Sequence, residues 1–256
     1  MIKILSGFTG PGGSTLAFNN LVNLFNENDM DACLYGPHEW EGVTCNFKKK
    51  DDPLINPEDT VIYHFRMPPS TSCKKLILSC HETELFPIRK IKEITYDDVH
   101  FVSEFQKQWH GVKGNVIPNV ITKYNPSIKI RKVAGIIGSV DKNKRVDVSI
   151  CRALDEGHDD IRLYGNITDG KYFSEVVLSL LGNKVSYRGI SSDMQSVYDI
   201  ITDVYSSSTL ECLPTIQGEC LHLGLNYHGL SESMRDEKDF EFDDKVILEK
   251  WKKCLE

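Results

Sequence analysis

Two glutamates, Glu211 and Glu219, stand with seven residues between them in "SSSTLECLPTIQGECLHLGLNYHG", which runs from Ser206 to Gly229. Pro214 and Gly218 lie between them. Proline lacks the N–H that a helix interior needs, and its ring collides with the preceding turn. The stretch is therefore expected to be a loop followed by a helix start, with one glutamate at each end of the turn. Carboxylates so placed can accept hydrogen bonds from hydroxyls, or act as an acid and nucleophile pair. The second use needs carboxyls opposed across a substrate, which a single loop-to-helix segment supplies poorly.

Two other segments carry residues suited to anions. "GFTGPGGST" follows the first apolar run and opens a helical pattern, so Gly12 and Gly13 sit where helix-start N–H groups favour negative charge. The spacing imitates a phosphate-binding loop, but Gly13 stands where that loop needs lysine, and a dinucleotide fingerprint is absent. A tight turn capped by Ser14 explains the same residues without a ligand. Farther on, "IIGSVDKNKRVD" places Lys142, Lys144 and Arg145 at the start of a helix, where cations oppose the helix dipole. A bound diphosphate would compensate them; so would solvent. Histidines close three apolar runs: His38 in "YGPHEW", His64 in "VIYHFRMPP" and His81 in "LSCHETE". Each can bind or transfer protons, or serve as a hydrogen-bonded structural residue.

The elements that must position these residues alternate. "IKILSG", "DACLYG", "TVIYHF", "KKLILSC" and "VHFVS" read as strands, with "STLAFNNLVNLFNEND" as an amphipathic helix on Leu16, Leu21, Leu24 and Phe25. After the polar joint "TKYNPSIK" the pattern restarts with "AGIIGS", "IRLYGN", "KVSYRG" and "DVYSSS". Helical "RVDVSICRALDEG" and "KYFSEVVLSLLGN" lie between. Strands alternating with helices predict an α/β chain with parallel sheets covered on both faces. We expect a first Rossmann-like domain over residues 1–123, a second over 124–238 and a final amphipathic helix over 239–256. That helix would bury Val246, Ile247, Trp251 and Leu255. Such sheets bind ligands beyond the carboxyl ends of their strands. Ser103 reads as a helix cap, and "IPN" at 117–119 as a turn.

Composition narrows the class. The chain has 256 residues, 40% apolar and 26% charged, with a net charge of −7. Acidic residues exceed basic ones in both halves, so neither is a basic nucleic-acid binder; Lys48, Lys49 and Lys50 precede two aspartates and read as a solvated loop. Eight cysteines contain no C-x-x-C pair, which fits reduced thiols and a cytoplasmic protein, including a viral or bacterial-host cytoplasm. The start of the chain reads as a buried strand rather than a signal peptide. No segment has the length of a membrane span.

With these pieces in order, the chain resembles a family 4 glycosyltransferase of the GT-B type, in a shortened form. The likeness is densest in the second half, through "IIGSVDKNKRVD", "ALDEG", "IRLYGN", "VSYRGISSDMQSVYDIITDVYSSSTLE" and the E-x7-E of Glu211 and Glu219. In the first half it rests on the glycine loop, "LSCHETE", "VHFVSEFQKQW" and "NVIPNVI". The resemblance implies two Rossmann-like domains facing each other across a cleft. It implies a retaining, metal-independent transfer of a hexose or pentose from a nucleoside-diphosphate sugar, a UDP-sugar first among them, with no further cofactor. Glu219 would hold ribose hydroxyls, Glu211 would lie at the transferred sugar, and Lys144, Arg145, Thr209 and Leu210 would lie at the diphosphate. Gly12 and Gly13 would close over the donor. His81 would act at the reacting centre, and His38 and His64 would meet the acceptor. That acceptor is a hydroxyl on a glycan, a lipid-linked sugar, a small molecule or a hydroxymethylated base in DNA; the acidic charge weighs against DNA. One departure stands out: Ser139 occupies a position where the family keeps an arginine. That favours an alternative, a non-catalytic relic that binds a nucleotide or a partner protein. An epimerase of the same shape would need further acid and base residues that the sequence does not offer.

Overall fold

A computed structural model describes residues 1–7, 12–40, 42–50, 53–83, 95–127, 132–231 and 234–256. The chain divides into two compact units, Met1–Ile121 with Lys238–Glu256, and Thr122–Glu237.

The first unit carries β1 (Ile2–Ser6), α1 (Gly13–Asn26), β2 (Ala32–Gly36), β3 (Phe47–Lys49), β4 (Thr60–His64), β5 (Lys75–Cys80), β6 (Asp98–Phe101), α2 (Glu104–His110) and β7 (Asn115–Val116). The strands form one sheet in the order β3-β2-β1-β4-β5-β6-β7, and every pairing is parallel. Alternate residues leave a strand on opposite faces. Ile4, Ile62 and Ile77 therefore join Phe18, Leu21, Val22 and Phe25 of α1 on one face, while Leu5, Val61, Tyr63 and Leu78 build the core on the other. Ser103 caps α2 as expected, accepting from the Gln106 N–H at 3.3 Å.

Three expectations need correction here. Leu16 is 38% exposed, because Phe18, Leu21, Val22 and Phe25 form the i, i+3, i+4, i+7 stripe that turns the helix toward the sheet. α1 starts at Gly13 with Gly12 as an extended N-cap and no side-chain cap, so Ser14 does not cap it. Phe47, Lys48 and Lys49 form an edge strand, not a loop. Phe47 packs on Trp40 with ring centroids 5.6 Å apart, and the two exposed lysines suit an edge that must not pair further.

The second unit carries β8 (Ala134–Ile137), α3 (Val146–Asp155), β9 (Ile161–Tyr164), α4 (Gly170–Tyr172), β10 (Val185–Gly189), α5 (Met194–Tyr198), β11 (Asp203–Ser206), α6 (Thr215–Leu223) and β12 (Asn226–Gly229). Its sheet runs β10-β9-β8-β11-β12, again parallel throughout. The segment read as one helix over "KYFSEVVLSLLGN" keeps α-geometry only through Tyr172, then passes through a π turn (Phe173–Val177) and a 3-10 turn (Leu178–Leu180). The wider π turn lets Tyr172 and Val177, five residues apart, enter the same core.

Gly138 and Gly165 end β8 and β9 with φ of 144° and 143°, values that side chains other than glycine rarely adopt. A Cβ at Gly165 would stand 1.8 Å from the Gly138 carbonyl oxygen. Two adjacent loops can thus leave the sheet in contact at its carboxyl edge.

The last helix, α7 (Asp244–Leu255), belongs to the first unit. It buries Ile247, Leu248, Trp251 and Cys254, while Val246 is exposed and Leu255 half-buried. Trp251 meets Phe25 edge-on at 5.9 Å. Among the described residues no helix is long and apolar enough to cross a membrane.

Candidate functional site

Glu211 lies in the loop between β11 and α6, and Glu219 lies within α6. Pro214 is the N-cap of α6, so the proline sits at the boundary that its chemistry dictates. The start of the loop is held by Arg152 of α3, whose Nη1 donates to the carbonyls of Ser206 (3.3 Å) and His228 (3.0 Å) and to Ser207 Oγ (3.3 Å). Its far side is held by Arg235, which donates to the carbonyls of Glu211 and of Cys212.

Across the carboxyl edge of the same sheet, the loop from β8 to α3 meets the Glu211 loop. Lys144 Nζ donates to Glu211 Oε1 in an ion pair. The Thr209 N–H donates to the Asn143 carbonyl at 2.9 Å, and the Thr209 hydroxyl donates to the Asn143 side chain. Two segments 67 residues apart are thereby zipped together. Arg145 is the N-cap of α3, at φ 47°, and is half-buried. Lys142 is exposed, Thr209 is exposed and Leu210 is half-buried.

Asp141 organises the β8–α3 loop. Its carboxylate accepts from Ser139 Oγ (2.7 Å), the Lys144 N–H (2.9 Å) and Thr168 Oγ1 (3.0 Å). Burial opposes its ionisation, but these hydrogen bonds outweigh it and hold the carboxyl below its ordinary range. Ser139 therefore serves as a donor to a loop carboxylate.

Glu219 is 5% exposed. Burial pushes its carboxyl up to about 7, and the hydrogen bond from the Tyr198 hydroxyl works weakly against that rise. Tyr198, at the end of α5, is itself buried and lies 4.9 Å from the Tyr124 ring. Nothing in the sequence signalled Tyr198, because an isolated tyrosine in a short helix reads as core.

In the first unit the pleat brings a second group together. His64, Ser79, His81 and His100 stand at the carboxyl ends of β4, β5 and β6, on the face that carries Phe18 and Trp251. His64 and His81 have ring centroids 5.0 Å apart, and His81 and His100 5.8 Å. His64 Nε2 bonds Glu82 Oε2 at 2.8 Å. Ser79 Oγ bonds His100 Nδ1 at 2.7 Å and His81 Nε2 at 3.2 Å. His100 Nε2 bonds the Ile117 carbonyl at 2.8 Å. Burial lowers the His81 imidazole well below its ordinary value, and neighbouring His64 and His100 add to that; burial also lowers His100 to about 4. The sequence drew attention to His64 and His81 but not to Ser79 or His100, which look like ordinary strand residues.

Three further predicted positions belong to the first unit. His38 is exposed in the segment after β2. Gly12 and Gly13 begin α1, and the part of the glycine loop from residue 8 to residue 11 lies outside the described residues. All eight cysteines are free thiols. Among the described residues no group of three histidines, cysteines or acids is arranged to hold a metal.

The chain has the GT-B class of fold, two α/β units each built on one parallel sheet, and the likeness to solved structures assigns it. No protein-family model matches the chain, and no curated protein matches its sequence. By structure it is similar to AviGT4, a glycosyltransferase involved in avilamycin A biosynthesis, with a TM-score of 0.69 at 14% identity over 97% of this chain and 87% of that one. It is similar to WaaG, a glycosyltransferase involved in lipopolysaccharide biosynthesis, with a TM-score of 0.67 at 13% identity over 100% and 90%. Anabaena HepE in complex with UDP-glucose gives 0.66 at 14% identity over 91% and 80%. At these identities the likeness is one of fold.

Proposed function

We propose that the protein is a retaining glycosyltransferase that moves a sugar from a nucleoside diphosphate, UDP foremost, to a hydroxyl acceptor. The observation that carries this reading is the zipper of Lys144 to Glu211 and Asn143 to Thr209. It puts a cation, a carboxylate and a pair of backbone-ordered loops at the carboxyl edge of one parallel sheet. Departure of a nucleoside diphosphate builds negative charge on phosphate oxygens, so a preorganised ammonium and helix-start N–H groups lower the barrier. In this reading Lys144, Arg145, Thr209 and Leu210 receive the diphosphate, and Glu219 accepts from the ribose hydroxyls. Glu211 meets the transferred sugar while holding Lys144 in place. Gly12 and Gly13 give backbone room beside the donor, His81 acts at the sugar, and His38 and His64 serve the acceptor. HepE's complex with UDP-glucose supports uridine as the base to test first. A glycan hydroxyl and a hydroxymethylated base in DNA are the acceptors to test.

A second reading, a relic that binds a nucleotide without turning it over, is favoured by one observation. Ser139 engages Asp141, which places a satisfied carboxylate rather than an arginine in the loop beside Lys144. A thermal-shift panel of nucleoside diphosphates and their sugars, on wild type and Glu219→Ala, tests both. Stabilisation by one nucleotide that is lost in the variant supports the donor site. Slow hydrolysis of the matching sugar donor then favours the enzyme, and tight binding without turnover favours the relic. No response to any nucleotide counts against the enzyme and leaves the relic that binds a partner protein.

A further inference from the structure

His228 of β12 lies flat on Tyr205 of β11, with ring centroids 4.4 Å apart and planes 5° from parallel. The parallel register sets the two residues side by side. Each nitrogen of the His228 ring faces a different carboxylate. Nε2 lies 3.0 Å from Asp203 Oδ1, and Nδ1 lies 3.6 Å from Glu156 Oε2 at the end of α3. Both carboxyls are held below their ordinary range. Burial opposes the ionisation of Asp203, but hydrogen bonds from Thr202, His228 and Asn226 outweigh it; for Glu156 the hydrogen bond from the Tyr205 hydroxyl leads. A neutral imidazole has one N–H and one lone pair, so one of two such carboxylates meets a lone pair. An imidazolium donates to both.

The neighbours of His228 do not compete for that proton. Tyr205 donates its one proton to Glu156 at 2.6 Å, so its oxygen accepts from His158 Nε2 at 3.0 Å. Burial and the charge of Lys132 lower the His158 imidazole. Its Nδ1 is closed to solvent and has no hydrogen-bond partner among the described residues, which leaves His158 neutral. Arg152 keeps its charge at every pH of interest. α6, which carries Glu219, packs on the other face of the sheet, where Cys220 joins Val204 and Tyr227. His228 meanwhile reaches α3 twice. Its ring faces Glu156, and its carbonyl accepts from Arg152 Nη1, which also donates to the Ser206 carbonyl and Ser207 Oγ at the start of the Glu211 loop.

We infer that His228 is a positioning residue for the Glu211 loop, and that the proton on its ring sets how firmly the loop is held. As an imidazolium it bridges Asp203 and Glu156, drawing β11, β12 and the end of α3 together and fixing Arg152 against the carbonyls at the loop's start. On losing the proton it keeps the bond to Asp203 through Nε2–H, and Glu156, 45% exposed, turns toward solvent. The Tyr205 hydroxyl then loses its acceptor, and the bed beneath Arg152, which lies 5.8 Å from the Tyr205 ring centroid, loosens. Histidine changes charge between about pH 5 and 8, so the loop is held more firmly toward the acid side of that range. The hold stands on this geometry alone; its bearing on a diphosphate rests on the glycosyltransferase reading.

Nitrogen-15 NMR of the full chain, titrated between about pH 5 and 8, tests the hold without any ligand. The backbone signals of Ser207, Ser208 and Thr209 should move with the same midpoint as the His228 ring. The Thr209 N–H, corrected for the pH dependence of free exchange, should be about threefold to tenfold better protected below that midpoint. The same response should persist in Glu219→Gln, which removes the other group that titrates near neutrality, and vanish in His228→Gln. Glu156→Gln keeps an acceptor for Tyr205 but loses the charge, and should weaken it. Loop signals that stay still through the His228 titration, or that respond equally in His228→Gln, overturn the hold. Calorimetry with UDP, on wild type and His228→Gln below and above the same midpoint, tests its bearing on the donor. The variant should bind about threefold to tenfold more weakly than wild type below the midpoint and equally above it; equal affinities at both overturn that link. A wild type that does not bind UDP overturns the UDP-sugar reading, while the loop signals still decide the hold.

Discussion

Replacing Glu219 with glutamine should make the second unit more stable at neutral pH while weakening ligand binding. The Glu219 carboxyl has an ordinary value of 4.5 and is raised by burial to about 7. Below the lower value the group is protonated in the folded and unfolded chains alike, and folding carries no penalty for it. Between the two, the folded chain holds a proton that the unfolded chain has released, so stability falls as pH rises. Above the higher value the folded state carries an ionised, buried carboxylate at a cost of about 3 kcal/mol. Glutamine has nearly the same shape, keeps an oxygen to accept from Tyr198, and never ionises. Urea unfolding followed by a probe in the second unit should therefore give near-equal midpoints for wild type and Glu219→Gln at about pH 5 and a variant more stable by about 3 kcal/mol at about pH 8. Tyr198→Phe removes the one contact that lowers the Glu219 carboxyl, so its pH transition should move upward. Parallel wild-type and glutamine curves across this range would refute the placement of Glu219 in a closed environment. A residue that costs stability where it stands is kept for something else. The same variant should lose nucleotide binding if ribose hydroxyls are its purpose.

Lys144→Ala should lower stability by less than about 1 kcal/mol, since the Lys144–Glu211 pair is partly exposed, yet reduce diphosphate affinity about tenfold to a hundredfold. Calorimetry with UDP and urea unfolding read the two effects separately, and comparable losses in both would make the pair structural. Lys3 and Asp59 form a buried pair at 2.6 Å, each side chain at most 5% exposed. Lys3→Met should cost about 3–5 kcal/mol by stranding the carboxylate, with part recovered in Lys3→Met/Asp59→Asn, as thermal unfolding will show. Gly165→Ala must force a Cβ against the Gly138 carbonyl at a positive φ and should destabilise the second unit by at least about 2 kcal/mol; an unchanged midpoint would refute the close approach of the two loops.

Much of the architecture was legible because parallel sheets write themselves locally. Strands such as "TVIYHF" and "KKLILSC" are short apolar runs covered on both faces, and Pro214 and Gly165 mark where elements must stop. Edge and transition elements were harder. β3 has one apolar residue and two lysines, and its strand character comes from pairing with β2. The π turn at Phe173–Val177 satisfies a core that only the neighbouring strands define. Leu16 and Val246 lie outside the core because each helix carries more apolar residues than its buried stripe holds, and what it packs against selects the stripe.

Local pattern was enough to show the alternation of strands and helices, the restart that divides the chain, and the two loops that carry Lys144 and Glu211. Folding was needed to show that Lys144 grips Glu211, that Tyr198 bonds Glu219, and that Ser79 and His100 line up behind His81. The reason is register. Ser79 faces His100 because β5 and β6 pair Ser79 with His100, and a one-residue slip would send these side chains to the opposite face. Such pairings join residues far apart in the chain, and their geometry is set by the packing of whole strands and helices rather than by any local pattern.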